Sequence, residues 1–157
     1  MELRLYSFVN FYLSSIQQGI QTGHAAVDLV RKYEENYAHP SDDHIKLCDM
    51  VIEWADDYKT FIILNGGDNE AIGVTTNTIR ESGFPFSIFM EPGIGGCQTC
   101  VTVVLPESIF NARHRDPDFP EPVYQYVDLT TTQITAYYPG HRQYELIKLL
   151  KASKLAS

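Results

Sequence analysis

The chain has 157 residues, of which 44% are hydrophobic and 20% are charged, a composition typical of one globular domain rather than of a disordered chain. The 12 basic residues are outnumbered by 20 acidic ones, and the net charge of −8 argues against a broad nucleic-acid-binding surface, which requires a basic face. No apolar run reaches the length of a bilayer span, and three cysteines agree with a reducing compartment, so we expect a cytoplasmic protein without a membrane partner.

The beginning of the chain predicts one strand and one long helix. Residues 3–13 are rich in β-formers and predict the first strand. Ser14 and Ser15 supply capping side chains ahead of a helix over residues 17–35. Apolar residues and one histidine recur along that helix at helical spacing, at Ile20, His24, Val27 and Val30. This stripe predicts the core-facing side of the helix, and it makes His24 semi-buried; such a histidine is more often a packed core residue than a catalytic one.

A second helix follows a polar loop. Ser41 begins it, and one face carries apolar or small residues: Ile45, Cys48, Val51, Ile52 and Ala55. Trp54 lies off that stripe, where packing inside the domain is favoured over a dimer contact. The loop carries His39, Asp43 and His44, whose spacing matches no metal-binding motif, so we predict neither a metal site nor a cofactor.

The central part of the chain predicts a strand, a helix and two further strands. Residues 61–64 form an apolar run that stops at Asn65, and Asp68 can cap a helix that ends at Gly83. Residues 86–90 and 100–105 are apolar runs, which predicts strands buried on both faces. In an open α/β sheet, ligands usually bind at the carboxyl ends of the strands, where Asn65 is expected to form one lip of a pocket.

Glu91 is the residue that follows the strand over residues 86–90. It opens a loop with three glycines, Gly93, Gly95 and Gly96, whose backbone N–H groups are expected to approach a ligand. Because the loop is poor in other charges, the pKa of this carboxyl is expected to be raised, which suits a base that activates water. The alternative is that Glu91 is a turn residue without a chemical role.

Two parts of the chain together resemble the PTH2-type peptidyl-tRNA hydrolases. The family begins with a strand that runs into a helix carrying Gly-Lys, small residues and Gln-x-x-His-Ala-Ala, and SIQQGIQTGHAAV follows the first predicted strand here. The matching positions are Gln21, His24, Ala25 and Ala26. The family strand that ends in Asp-Ala-Gly corresponds to the one ending in Glu91-Pro92-Gly93, and the Gly-Thr strand of the family corresponds to residues 99–106. The likeness covers residues 3–106.

The residue patterns above and the resemblance together indicate nine candidate site residues. Glu91, His24 and Gln21 would be catalytic, with Glu91 as the base or the orienting group. Residues expected to bind the ligand are Gln17, Asn65, Gly93, Gly95, Gly96 and Thr99. The sequence departs from the family at two of these positions: Gln17 stands where the family has lysine, seven residues before the histidine, and Glu91 replaces aspartate. The loop after Glu91 is also shorter and lacks the family's threonine.

The C-terminal part differs from the family pattern. Residues 107–140 are predicted to form an inserted loop and a β-hairpin that carries four tyrosines: Tyr124, Tyr126, Tyr137 and Tyr138. These side chains suit a stacking platform for bases or a self-association surface, and ordinary strand residues are the alternative. Residues 141–155 predict a closing amphipathic helix with its apolar residues turned inward: Leu146, Ile147, Leu149 and Leu150.

We therefore expect a single α/β domain over residues 1–157, with a mixed sheet of four strands, helices on both faces and an added C-terminal hairpin. The resemblance implies a homodimer or higher homo-oligomer that hydrolyses an ester such as that of peptidyl-tRNA. Two alternatives stay open. One is a protein of the same fold that binds, sequesters or cleaves a small nucleotide-like signal molecule, and the other is a non-catalytic interaction module.

Overall fold

A computed structural model describes residues 2–35, 41–112, 124–128, 133–136 and 141–156. Within these ranges the strands are β1 (Leu3–Val9), β2 (Phe61–Asn65), β3 (Phe86–Glu91), β4 (Cys97–Pro106), β5 (Tyr124–Asp128) and β6 (Gln133–Ala136). The helices are α1 (Ser15–Glu35), α2 (Asp42–Glu53), α3 (Asn69–Ser82), α4 (Glu107–Phe110) and α5 (His141–Ala152). None of these helices is long and apolar enough to cross a bilayer.

Four of the strands form one mixed sheet in the order β2-β1-β4-β3. β1 pairs in parallel with β2 and antiparallel with β4, which in turn pairs antiparallel with β3. β1, β2 and β3 therefore point the same way, and their carboxyl ends share one edge of the sheet with the start of β4. The predicted α/β class, with a mixed four-stranded sheet, is confirmed.

Helices cover both faces of this sheet. One face packs against α3, α4 and α5 through a large apolar cluster whose most buried members include Tyr6, Phe8, Val103, Leu105, Phe110 and Leu146. The other face packs against α1 and α2 through a second cluster that includes Leu3, Leu5, Leu29, Val51, Trp54 and Val104. Alternate residues of β1 contribute to the two clusters, as the two-residue period of a strand requires. The central strands are thus buried on both faces.

The first strand is shorter than predicted, because β1 ends at Val9 rather than at residue 13. The next residue turns the chain: the side-chain oxygen of Asn10 accepts a hydrogen bond from the N–H of Tyr12 at 2.9 Å. This local bond competes with continued strand pairing, as is usual for asparagine. Beyond it, the exposed rings of Phe11 and Tyr12 contact each other with centroids 4.1 Å apart.

The predicted core face of α1 is wrong. Val27 is 60% exposed, and Ile20 and His24 are also exposed. The buried residues of this helix are mostly small or polar: Gln18, Gln21, Thr22, Ala25, Ala26, Leu29 and Tyr33. Small side chains bring α1 close to the sheet, and Gln21 and Thr22 form hydrogen bonds with polar groups of the strands. The periodicity of apolar residues alone therefore indicates the wrong side.

α2 begins where expected, since the side chain of Ser41 accepts a hydrogen bond from the N–H of His44. The helix continues into a π-helical turn, Trp54–Tyr58, which ends at Lys59 with a left-handed φ of 53°. Trp54 is buried and donates its indole N–H to the carbonyl of Thr60 at 3.1 Å, which confirms its predicted place in the core. His39 lies outside the described residues.

α3 also has the predicted ends. Asp68 accepts a hydrogen bond from the N–H of Ala71, and Gly83 closes the helix with a φ of 79°. The predicted burial of β3 on both faces is wrong, because β3 lies at the edge of the sheet and is only partly buried. β4 is the strand that is buried over its whole apolar run.

Residues 107–110, which were predicted to belong to an inserted loop, form α4, and Ile109 and Phe110 belong to the core. β5 pairs antiparallel with β6, while Tyr137 and Tyr138 lie outside the described residues. α5 ends at Ala152 rather than at residue 155, and the following segment bridges β2 through Leu155 and Leu64.

Candidate functional site

Two side-chain hydrogen bonds join three segments of the chain at the carboxyl edge of the sheet. Gln21 of α1 donates from Nε2 to the Oε2 atom of Glu91 at 2.8 Å. The hydroxyl of Thr99 on β4 donates to the Oε1 atom of the same glutamine at 2.7 Å. Because the amide oxygen of Gln21 is engaged by Thr99, its N–H group is held toward the carboxylate. Gln21 and Thr99 are buried, 6% and 1% exposed, so this arrangement has little freedom to rotate.

A β-bulge places Thr99 in this chain of bonds. Phe89 pairs with Cys100 but Met90 pairs with Gln98, so β4 has one extra residue, Thr99, opposite β3. A bulge redirects side chains that would otherwise alternate between the faces of the sheet. Thr99 and Cys100 consequently both contact Gln21 of α1, through its side chain and its carbonyl respectively.

The N–H groups of the loop after Glu91 form hydrogen bonds within the loop itself. The N–H of Gly93 donates to the Oε1 atom of Glu91 at 3.1 Å, the N–H of Gly95 to the carbonyl of Pro92 at 3.3 Å, and the N–H of Gly96 to the carbonyl of Glu91 at 3.0 Å. Gly95 and Gly96 have φ values of 74° and 77°, which glycine adopts without strain. These bonds form a tight turn rather than the expected ring of donors toward a ligand.

The pKa of the Glu91 carboxyl is lowered, and the expected raised pKa is wrong. The hydrogen bond from Gln21 is the largest cause, followed by the hydrogen bond from the N–H of Gly93; desolvation acts in the opposite sense, and the nearby His24 adds a smaller lowering of the pKa. A carboxylate that accepts such bonds is stabilised in its charged form. Glu91 is therefore ionised at neutral pH, and it is suited to accept hydrogen bonds from a ligand or a water molecule.

His24 lies beside this carboxylate but on the surface. Its ring stacks on that of Phe89, with centroids 4.8 Å apart and an interplanar angle of 16°. The predicted semi-buried position is wrong, for the same reason that the core face of α1 was wrong. The exposed stack provides an aromatic surface next to an ionised carboxylate, which a ligand can reach from solvent.

Gln17 and Asn65 do not join the cluster of Gln21, Glu91 and Thr99. Gln17 is exposed at the start of α1, where its side-chain oxygen accepts the N–H of Ser14 and its own N–H donates to the hydroxyl of Ser14. This reciprocal pair is a capping box. Asn65 ends β2, and two strands separate β2 from β3, so Asn65 and Glu91 are roughly 14 Å apart across the sheet at the usual strand spacing.

Sequence reasoning missed a polar layer beneath the site. The hydroxyl of Ser7 lies 2.9 Å from that of Thr22 and 3.5 Å from the sulfur of Cys100. Burial raises the pKa of the Cys100 thiol to about 12, so this cysteine is an uncharged packing residue. Ser7, a small polar residue at a fully buried position of β1, is the signal that could have indicated a polar contact between β1 and α1.

Within the described ranges, no three residues of the types that bind metal ions come together. A scan of the whole chain against protein-family models finds no matching family, and a search of curated proteins finds no match.

Proposed function

We propose that this protein is a divergent PTH2-like hydrolase of esters such as that of peptidyl-tRNA, with Glu91 as the group that orients the substrate and the attacking water. The observation that carries the proposal is the convergence of Gln21, Glu91 and Thr99. They lie on three separate segments, and each falls in a segment that the resemblance aligned with a motif of the family. A random likeness of short motifs gives no reason for these three side chains to meet.

The geometry favours orientation over proton abstraction as the main contribution of Glu91. A general base works best when its pKa lies near the operating pH, and the pKa of Glu91 is lowered instead. An ionised carboxylate in a fixed position still accepts the hydrogen bond of a water molecule and aligns it for attack. Gln21 and Thr99 hold that carboxylate in place, and His24 adds a polar ring at the open side.

Hydrolysis of labelled peptidyl-tRNA by the wild-type protein and by Glu91→Gln tests the proposal. Low salt is needed, because an acidic protein binds RNA weakly and salt weakens such binding further. Glu81→Gln is the matched control, since Glu81 is an exposed carboxylate on α3. Turnover by the wild type and the control that falls at least about a hundredfold in Glu91→Gln is expected. A folded wild-type protein without turnover would contradict the proposal.

A second candidate is a site that binds a small nucleotide-like molecule without hydrolysing peptidyl-tRNA. The engaged N–H groups of Gly93, Gly95 and Gly96 favour it, because they leave the loop without the donors expected for an oxyanion. An ionised carboxylate suits the hydroxyl groups of a ribose, and the stacked rings of His24 and Phe89 suit a base. A small ligand also does not require a broad basic surface.

Calorimetric titration with adenosine, AMP, ADP and the corresponding guanosine compounds distinguishes the two candidates. A wild-type protein that lacks turnover but binds one of these compounds, with affinity reduced in Glu91→Gln, supports the second candidate. Turnover of peptidyl-tRNA in the absence of nucleoside binding supports the first.

We also propose self-association, which the family resemblance implies. An apolar groove of about 460 Å³ lies between α1, the π-helical turn and β2, and Val27 and Phe61 line it while remaining exposed. Exposed apolar surface of this kind is common at interfaces between subunits. Analytical ultracentrifugation measures the oligomeric state directly, and a strictly monomeric protein at high concentration would contradict this proposal.

A further inference from the structure

A second cavity lies on the opposite face of the sheet from α1, and the Glu91 site does not use it. Its volume is about 390 Å³, within the usual range for small-molecule sites. The loop after β2, the first turns of α3 and the end of α5 line it, and it is open to solvent. Its lining includes Phe8, Asn65, Thr75, Leu149, Ser153 and Lys154.

Thr75 is the buried polar residue that this cavity leaves without a partner. It is only 5% exposed, and its hydroxyl makes no hydrogen bond with any residue in the described part of the chain. The neighbouring Thr76 and Thr78 differ, because their hydroxyls donate to the carbonyls of Ile72 and Val74 one turn earlier. The Thr75 hydroxyl lines the cavity and is not engaged by the protein, so it is available to donate a hydrogen bond to a ligand.

Two further donors lie on the rim of the cavity. The side-chain oxygen of Asn65 already accepts the N–H of Gly67 at 2.9 Å, so its NH₂ group is the part left to bind a ligand. Lys154 makes no ion pair with the residues that the structure describes. Its carbonyl accepts the N–H of Asn65 at 2.9 Å, which ties the ends of the two segments together. The hydroxyl of Ser153 is engaged, since it donates to the carbonyl of Leu149.

We infer that this cavity binds a small organic monocarboxylate with an apolar body. A hydroxyl, an amide NH₂ and an ammonium group are all donors, and together they suit an anion. Phe8 and Leu149 provide an apolar wall for the rest of the molecule. A single ammonium group balances one negative charge, so a monocarboxylate suits the cavity better than a dianion such as phosphate. This inference does not depend on the proposed function.

Titration of the protein with phenylacetate and hexanoate, followed by ¹H–¹⁵N NMR, tests whether the cavity binds monocarboxylates. Phenylacetamide, hexanamide and inorganic phosphate serve as comparison probes, because they remove either the charge or the apolar body. The variants are Thr75→Val and Lys154→Gln. Their matched controls are Thr78→Val, on α3 like Thr75, and Lys151→Gln, three residues before Lys154 at the end of α5; neither control residue lines the cavity.

The expected result is that the carboxylates shift the amide signals around the cavity and bind at least about fivefold more tightly than their amides. Lys154→Gln should abolish that preference, and Thr75→Val should weaken carboxylate binding about fivefold, which corresponds to the loss of one hydrogen bond. Both control variants should bind within about twofold of the wild type.

Two further measurements check that Thr75→Val folds and that the cavity binds independently of the Glu91 site. Thr75→Val should fold with an unchanged or higher melting temperature, because the hydroxyl that it removes has no partner. Glu91→Gln should bind the carboxylates normally, so failure at one site does not imply failure at the other. The inference is overturned if no carboxylate binds in the millimolar range, if the amides or phosphate bind as well, or if Thr75→Val and Lys154→Gln bind like their controls.

Discussion

The two faces of the central sheet are built differently. Toward α3 and α5 the strands present large apolar side chains, among them Tyr6, Phe8 and Val103, which pack into one cluster with Phe110 and Leu146. Toward α1, near the carboxyl edge, the strands present the hydroxyl and thiol groups of Ser7, Thr99 and Cys100, which meet Gln21 and Thr22 of that helix. Apolar packing is non-directional, whereas hydrogen bonds fix orientation. The first face is therefore expected to supply stability, and the second to position Glu91.

The largest effect is expected on the apolar face. Phe110 is 1% exposed, and the guanidinium of Arg4 lies 4.2 Å from the centre of its ring. Phe110→Ala should lower the free energy of unfolding by about 3–5 kcal/mol, because it leaves a cavity and removes this contact. Urea denaturation measures the loss. A reduction below about 1 kcal/mol would contradict the assignment of stability to this face.

On the polar face, Gln21→Leu should lower the free energy of unfolding less than Phe110→Ala does, but it should change the site around Glu91 more. The variant removes both bonds and leaves the buried hydroxyl of Thr99 unpaired, which should cost about 1–3 kcal/mol. The pKa of Glu91 should rise toward its ordinary value, because the bond from Gln21 is the main cause of its lowering. A ¹³C NMR titration of the carboxyl measures this pKa. Gln17→Ala is the control on the same helix and should leave the pKa of Glu91 unchanged.

The lowered pKa also predicts the sign of a pH dependence. Between the folded-state pKa of Glu91 and its ordinary value of 4.5, the folded protein binds fewer protons than the unfolded chain. The stability that this carboxylate contributes is complete above the ordinary value and is lost as the pH falls through the folded-state pKa. The difference in unfolding free energy between wild type and Glu91→Gln should therefore shrink from pH 6 to pH 3. A difference that grows on acidification would show that the pKa is raised.

The smallest change in unfolding free energy is expected for a substitution on the exposed side of α1. At a concentration where the protein is monomeric, Val27→Ala should change the unfolding free energy by no more than about 0.5 kcal/mol, since Val27 is 60% exposed. Val103→Ala, at a fully buried position on β4, is the matched comparison and should cost clearly more. Thermal denaturation of the two variants side by side measures both values. Equal losses would mean that the face of α1 that turns to the core has been misplaced.

Local signals in the sequence predicted much of this fold. The caps at Ser41, Asp68 and Gly83 are short-range features, and each was found where the residue type indicated. The burial of β4 was also predicted correctly, because a continuous stretch of β-branched and apolar residues rarely lies on a surface. Such features depend on a few neighbouring residues rather than on the arrangement of the whole chain.

The predictions that were wrong concern features that depend on contacts between distant segments of the chain. The side of α1 that is buried is decided by the polar residues of β1 and β4 that it meets, which no periodicity within the helix reveals. The direction of Thr99 depends on a bulge in the pairing with β3. Asn65 was expected near Glu91 because both follow strands, but the strand order places β2 and β3 at opposite edges.

The short segment after α5 gives the sheet unequal edges. The N–H of Asn65 donates to the carbonyl of Lys154, and the N–H of Ala156 donates to the carbonyl of Ile63, so backbone groups on the outer side of β2 are already paired. An unpaired strand edge invites strands of other molecules to add to the sheet. Intermolecular strand addition at β2 must first displace this segment, and its two backbone bonds therefore act as a barrier against aggregation.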